Sequence, residues 1–171
     1  MRPSAYTNAP ETVRANKPFI SVNTAIGVDL LGNVWADFID PRRYYSGVGG
    51  QPDFIRALND RAFGTPIIAM KSTTLKGESK IAKLHPPGIS LTASAYDSVV
   101  IVTEYGIADL RELTSGAKAL AIASIAHPKF RDDLLRSVFD DPLFTKPIGF
   151  TLDKTPSGVH MYDGKIKLVE G

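Results

Sequence analysis

The sequence predicts a layered α/β domain with a mostly parallel sheet flanked by helices. Apolar strand runs alternate with segments of helical spacing. One of those runs, Val99-Val100-Ile101-Val102, is apolar at every position, as a strand covered on both faces requires. A glycine-rich turn, Gly47-Val48-Gly49-Gly50, separates extended residues from the helical pattern of Phe54, Ile55, Leu58 and Ala62.

The elements follow in order. Pro3, Pro10 and Pro18 interrupt a polar opening, so residues 1–18 read as a linker or a strap across a partner surface. Short β-branched runs then predict strands over Phe19 to Ile26, Val28 to Leu31 and Asn33 to Ile39, with a hairpin bend at Leu31-Gly32-Asn33. The helix after the glycine turn is expected over Pro52 to Phe63, with Pro52 at its first position and Asp53 complementing its positive end. Pro66 to Met70 and Ile89 to Thr92 read as further strands, and Ser98 to Thr103 as the most buried one. Helices are expected over Ile107 to Glu112, Ser115 to Ala126 and Phe130 to Phe139. The domain therefore spans 19–139, and 140–171 reads as an irregular tail with a terminal hairpin around Tyr162-Asp163-Gly164-Lys165.

Composition narrows the chemistry. At 171 residues, with 43% hydrophobic and 22% charged residues, the chain can bury one sizeable core. Twenty basic residues against eighteen acidic give a net charge of +2, too small and too dispersed for a nucleic-acid footprint. Lys76, Lys80 and Lys83 come nearest to a patch, but Glu78 interrupts them and a solvated edge is the commoner meaning. The absence of cysteine excludes disulfides, thiolate metal sites and cysteine nucleophiles. His85, His127 and His160 are too scattered to hold a metal, and no metal is expected. The opening residues lack an apolar run of the kind an anchor or export signal needs, which favours no membrane and a cytoplasmic or mitochondrial-matrix setting.

Three features could carry chemistry, and all are expected at the carboxyl ends of strands, where such sheets bind ligands. Gly47, Gly49, Gly50 and Gln51 open a helix, so their N–H groups could cradle a phosphate or an oxyanion; a tight strand-to-helix turn is an equal alternative. Glu104 directly follows the apolar strand, where burial would raise its pKa or sharpen it as a nucleophile or base; a helix cap or a pair with Arg111 is the alternative. Asn23 ends another strand and could hydrogen-bond a carbonyl or merely satisfy backbone. The glycine loop and Glu104 are expected to converge on one cleft.

Four segments, taken in order, resemble the carboxy-terminal domain of the acetyl-CoA hydrolase/transferase family, which includes 4-hydroxybutyrate CoA-transferase. They are Asn23-Thr24-Ala25-Ile26, Val28-Asp29 with Gly32-Asn33-Val34, Ser46 to Phe54, and Val100 to Leu110. The likeness runs from about Pro3 to about Leu135 and takes in Ala126-His127-Pro128-Lys129-Phe130-Arg131. Gly27 stands where members usually carry glutamate, and Glu112 where glycine is common.

The resemblance implies a route in which a glutamate attacks an acyl-CoA and passes through a glutamyl-CoA thioester to a small carboxylic acid. It implies that this glutamate lies in an amino-terminal half outside the chain, or on an oligomeric partner. Glu104 then orients or polarises reacting groups, Asn23 lies near the bound carboxylate, and the glycine loop lines the CoA and oxyanion side. A CoA thioester is implied as substrate, with no permanently bound cofactor. A non-catalytic CoA-binding or assembly module is the alternative, and a compact hydrolase with Glu104 as its own nucleophile is a third reading.

Overall fold

A computed structural model describes residues 1–97, 99–145, 155–156 and 158–162. The predicted hairpin at Tyr162-Asp163-Gly164-Lys165 lies largely outside the described residues. The opening segment, expected as a linker or strap, holds two short helices, α1 (Ser4–Thr7) and α2 (Pro10–Arg14). Pro10 suits the first position of a helix, and Val13 is buried against the next helical layer with Ala57 and Leu58.

The main sheet has five strands in the order β1-β6-β8-β9-β10. Strands β1 (Phe19–Asn23), β6 (Gly64–Ala69) and β8 (Val100–Thr103) run parallel, with Asn23 beside Ile68 and Ile68 beside Ile101. Beyond them β9 (Gly106–Asp109) and β10 (Val159–Met161) are added antiparallel. A smaller layer is formed by β2 (Gly27–Asp29), β3 (Val34–Trp35) and β7 (Ile81–Ala82), and a ribbon by β4 (Phe38–Asp40) and β5 (Arg43–Tyr44). Flanking helices are α3 (Gln51–Ala57), α4 (Ser115–Ser124) and α5 (Pro128–Asp140).

The core lies between the main sheet and α4. Ile68, Ile101 and Ala108 are fully buried with Leu120, Ile122 and Ile125. Such burial stabilises by about 1.5 to 3 kcal/mol per large side chain. The opposite face of the edge strand is uncovered: Ile20 and Val22 are each 64% exposed.

The predicted bend at Gly32 is present, and Asp29 explains it. Its buried carboxylate accepts N–H bonds from Leu31 at 3.0 Å and Asn33 at 2.8 Å, and one from the Asn33 amide at 2.8 Å. Gly32 has φ +96°, where a side chain is strained.

Three expected elements differ. Ile107 to Glu112 is not a helix; residues 106–109 pair back on β8, making Glu104-Tyr105 the turn of a hairpin. Ile89 to Thr92 forms no named strand; Thr92 donates its N–H to the Val34 carbonyl at 2.8 Å, and the next residue, Ala93, makes an isolated bridge with Val34. The helix expected over Pro52 to Phe63 stops at Ala57, after which Asp60 accepts the Ala62 N–H at 2.8 Å and turns the chain.

Candidate functional site

Three parallel strands end side by side, and the residues just beyond those ends are tied together. From β6 the chain runs through Met70 and Lys71 to Ser72, which is fully buried. Ser72 donates its N–H to Glu104 Oε2 and its hydroxyl to Glu104 Oε1, each at 2.8 Å. From the loop before β7, Lys80 donates its ammonium to the Ala25 carbonyl at 2.7 Å, just beyond the end of β1. Ser72 thus links the ends of β6 and β8, while Lys80 anchors its loop to the end of β1.

Electrostatics set the state of Glu104. Burial pushes its pKa up, as the sequence leads one to expect, but this is outweighed. Hydrogen bonds from its own N–H and from Ser72, helped by the Lys71 charge, leave the pKa below the ordinary glutamate value. Glu104 is held ionised and accepts hydrogen bonds; it is neither a poised acid nor paired with Arg111. Arg111 instead grips Asp109 through two bonds, at 2.8 and 2.7 Å. Lys80 is half-buried, and that burial lowers its pKa against the opposing pull of Glu104.

A cleft of about 440 Å³ opens over these strand ends, within the range of small-ligand sites. Ala25, Ile26, Ala36, Ile39 and Leu75 give it apolar walls, and Lys71 and Lys80 also line it. Thr24 from the end of β1 and Thr73 from the loop after β6 complete the floor.

Of the residues singled out from sequence, Glu104 and Asn23 occupy the same sheet end, two strands apart. Asn23 is half-buried, and its side chain has no hydrogen-bond partner among the described residues. The glycine loop is more distant from the cleft walls, which it approaches only through the preceding Tyr45. Gly49 has φ +61° with open space where a side chain would be. At Gly50 a Cβ would stand 2.6 Å from the Asn8 amide nitrogen, the far end of a side chain that could turn aside. Gln51 begins α3 with its amide nitrogen buried and unpartnered. Asp53 does sit in the first turn of α3 but is engaged by the Asn8 amide at 3.1 Å.

Ser72, Lys71 and the reach of Lys80 were not singled out as a site from the sequence. The run Lys71-Ser72-Thr73-Thr74, polar and directly after a parallel strand, was the available signal for Ser72. For Lys80 the local signal was the interrupted patch with Lys76 and Lys83, whose commoner meaning is a solvated edge. Among the described residues no group of three or more His, Cys, Asp or Glu is placed to hold a metal ion, and no helix is long and apolar enough to cross a membrane.

Comparison with known proteins places this arrangement. Residues 1–138 match the model of the acetyl-CoA hydrolase/transferase C-terminal domain, so the two opening helices fall inside the match. The 4-hydroxybutyrate coenzyme A transferase of Clostridium kluyveri is 42% identical over 131 residues, covering 76% of this chain and 30% of that protein. An acetyl-CoA hydrolase of Candida albicans is 31% identical over 144 residues, covering 81% of this chain and 27% of that one. Among solved structures, RipA from Yersinia pestis superposes with a TM-score of 0.72 at 34% identity, over 81% of this chain and 31% of that chain. The chain thus spans about three tenths of the length of these relatives. It belongs to the acetyl-CoA hydrolase/transferase family, of which it carries the C-terminal domain.

Proposed function

We propose that this chain is the acceptor-side domain of an acyl-CoA transferase or hydrolase, working with an amino-terminal half that supplies the nucleophilic glutamate. In that reaction a glutamate oxygen attacks the thioester carbonyl and CoA leaves as thiolate. The thiolate then attacks the glutamyl carbonyl of the resulting anhydride, releasing the first acid and leaving a glutamyl-CoA thioester. An acceptor carboxylate reverses the two steps, and water in its place gives hydrolysis.

One observation carries the reading: an ionised carboxylate, Glu104, clamped twice by Ser72 at the carboxyl ends of parallel strands beside two ammonium groups. A group held this firmly suits orienting and polarising reacting atoms. Asn23, with no side-chain hydrogen-bond partner among the described residues and at the next strand end but one, is assigned to the bound carboxylate, and the Gly47, Gly49, Gly50 and Gln51 backbone to the CoA and oxyanion side. The exposed Ile20 and Val22 leave an apolar face suited to cover by the other half or by a second copy. The cytoplasm or mitochondrial matrix, where acyl-CoA is available, is the setting proposed.

The test is reconstitution. This chain alone and with a family amino-terminal half is assayed for CoA transfer from acetyl-CoA to butyrate, and borohydride reduction locates the glutamyl thioester. Turnover only in the mixture, with trapping on the added half, is expected. Trapping on Glu104 of this chain would overturn the division of labour, and absence of turnover in a folded mixture would favour a non-catalytic module.

A further inference from the structure

Lys80 and Lys118 share an environment and differ in one respect. Both are half-buried, and each donates its ammonium to a main-chain carbonyl, Lys80 to Ala25 at 2.7 Å and Lys118 to Ala95 at 2.8 Å. Neither forms an ion pair among the described residues. Burial lowers the pKa of each, against the pull of Glu104 on Lys80 and of Asp97 on Lys118. Lys80 lines the cleft of about 440 Å³ over the strand ends, and Lys118 does not. Lys71 lines it too, but is exposed, and no hydrogen bond fixes its ammonium among the described residues. The other polar side chains of the lining are the hydroxyls of Thr24, Tyr45, Thr73 and Thr74, weak nucleophiles unless a base activates them.

Resting on the reading that an acyl-CoA reaches this domain, we infer that Lys80 is a self-acylation site, its amine taking the acyl group from a thioester bound in the cleft. The ammonium first gives a proton to solvent. The freed lone pair forms a C–N bond to the thioester carbonyl carbon, and the C–S bond breaks. CoA leaves as thiolate and takes up the second proton that the nitrogen sheds. Holding the amine by Ala25 in the same cavity as the acyl group turns a collision into an oriented encounter, which Lys118 lacks altogether and Lys71 lacks in orientation. The product is an uncharged amide with one N–H left for the Ala25 carbonyl and the acyl group left inside the cleft. Acylation therefore blocks the cleft to further substrate, a brake that sets in when acyl-CoA outlasts its acceptor.

The test is peptide mass spectrometry of the 171-residue chain incubated with acetyl-CoA, alone and with the amino-terminal half, following each lysine in time. Acetylation of Lys80 at least about tenfold faster than of Lys118 or Lys71 is expected in the mixture. Excess desulfo-CoA, which cannot carry an acyl group, is expected to slow Lys80 by about tenfold and leave Lys118 unchanged. An acetyl N-hydroxysuccinimide ester, which has no CoA part, is expected to modify Lys80 and Lys118 within about threefold of each other, because burial acts on both alike. Equal rates at the two lysines with acetyl-CoA, alone and in the mixture, overturn the assignment. A Lys80 preference that ignores desulfo-CoA, or is as large with the succinimidyl ester, overturns it as well. Transfer lost in step with Lys80 occupancy supports the brake, and full transfer at full occupancy removes it. The two readings fail separately: CoA transfer without Lys80 selectivity strikes the modification site and leaves the reaction standing, and selective acetylation without transfer does the reverse.

Discussion

Ser72 donates both its main-chain N–H and its hydroxyl to the two carboxylate oxygens of Glu104, each at 2.8 Å, across 32 positions of sequence. The pair fixes the hairpin turn that follows β8 to the loop that follows β6, so the carboxylate cannot swing between rotamers without losing both bonds. Packing reinforces it from behind. Thr103 donates its hydroxyl to the Ile125 carbonyl at 2.7 Å, and Tyr105 stands edge-on to His127.

Replacing Ser72 with alanine removes one of the two bonds and keeps the other. Because Glu104 is partly accessible to water, the loss is expected at the lower end for bonds to a charged group, about 1 to 2 kcal/mol. Urea denaturation measures it. In a reconstituted enzyme the same variant is expected to lower kcat more than it raises KM, since a loosened Glu104 affects positioning rather than uniform binding.

Acid should destabilise the fold through Glu104 and Asp109 together. Both have folded-state pKa values below their ordinary ones: burial opposes this in each case, and hydrogen bonds from Ser72 or Arg111 prevail. The unfolded chain therefore binds more protons as pH falls. The stabilisation is complete above the unfolded values, about 4.3 for Glu and 3.9 for Asp, and is lost as pH drops through the lower folded values. Thermal melts from pH 7 to pH 3 should show this loss. Glu104→Gln should flatten the acid limb in part, leaving the share that belongs to Asp109.

Glu112 occupies left-handed backbone with φ +64°, the one non-glycine residue to do so among those described. Its ion pair with Arg61, at 3.1 Å on the surface, offsets little of that strain. Glu112→Gly is expected to stabilise by about 0.5 to 1 kcal/mol, the relieved strain exceeding the added freedom of the unfolded chain. A rise in melting temperature would verify it.

The lack of a side chain at Gly27 has a steric cause. A Cβ at this position would stand 2.2 Å from the Trp35 ring and 2.8 Å from the Lys80 carbonyl. Trp35 fills the space that a side chain at 27 would need, so the two positions are coupled. Gly27→Ala is expected to cost about 1 to 3 kcal/mol by overpacking. Combined with Trp35→Val, it should cost less than the sum of the two single changes, read as a double-mutant cycle.

Local chemistry made much of the fold legible. The buried run 99–102, the turn at Gly32, the glycine loop before a helix with Pro52 in its first turn, and the helices expected from Ser115 and Phe130 each carry their reason within a few residues. Illegible elements lacked such a reason. Ile107-Ala108-Asp109-Leu110 is too short to tell a period of 2 from one of 3.6, and β8 on one side with β10 on the other makes it a strand. Leu91-Thr92-Ala93 has strand-like residues but only one bridging partner, Val34.

The same division holds at the site. By itself the sequence determined that Glu104 and Asn23 end strands of an α/β sheet, because apolar runs stop at them, and it carried the order of motifs that marks the family. Tertiary structure decided what those residues meet. That Ser72 fixes Glu104 as an anion, that Lys80 reaches back 55 positions to Ala25, and that Asn8 engages Asp53 all depend on distances between segments remote in sequence. A pKa or a cleft is set by the sum of such contacts, and no local pattern encodes that sum.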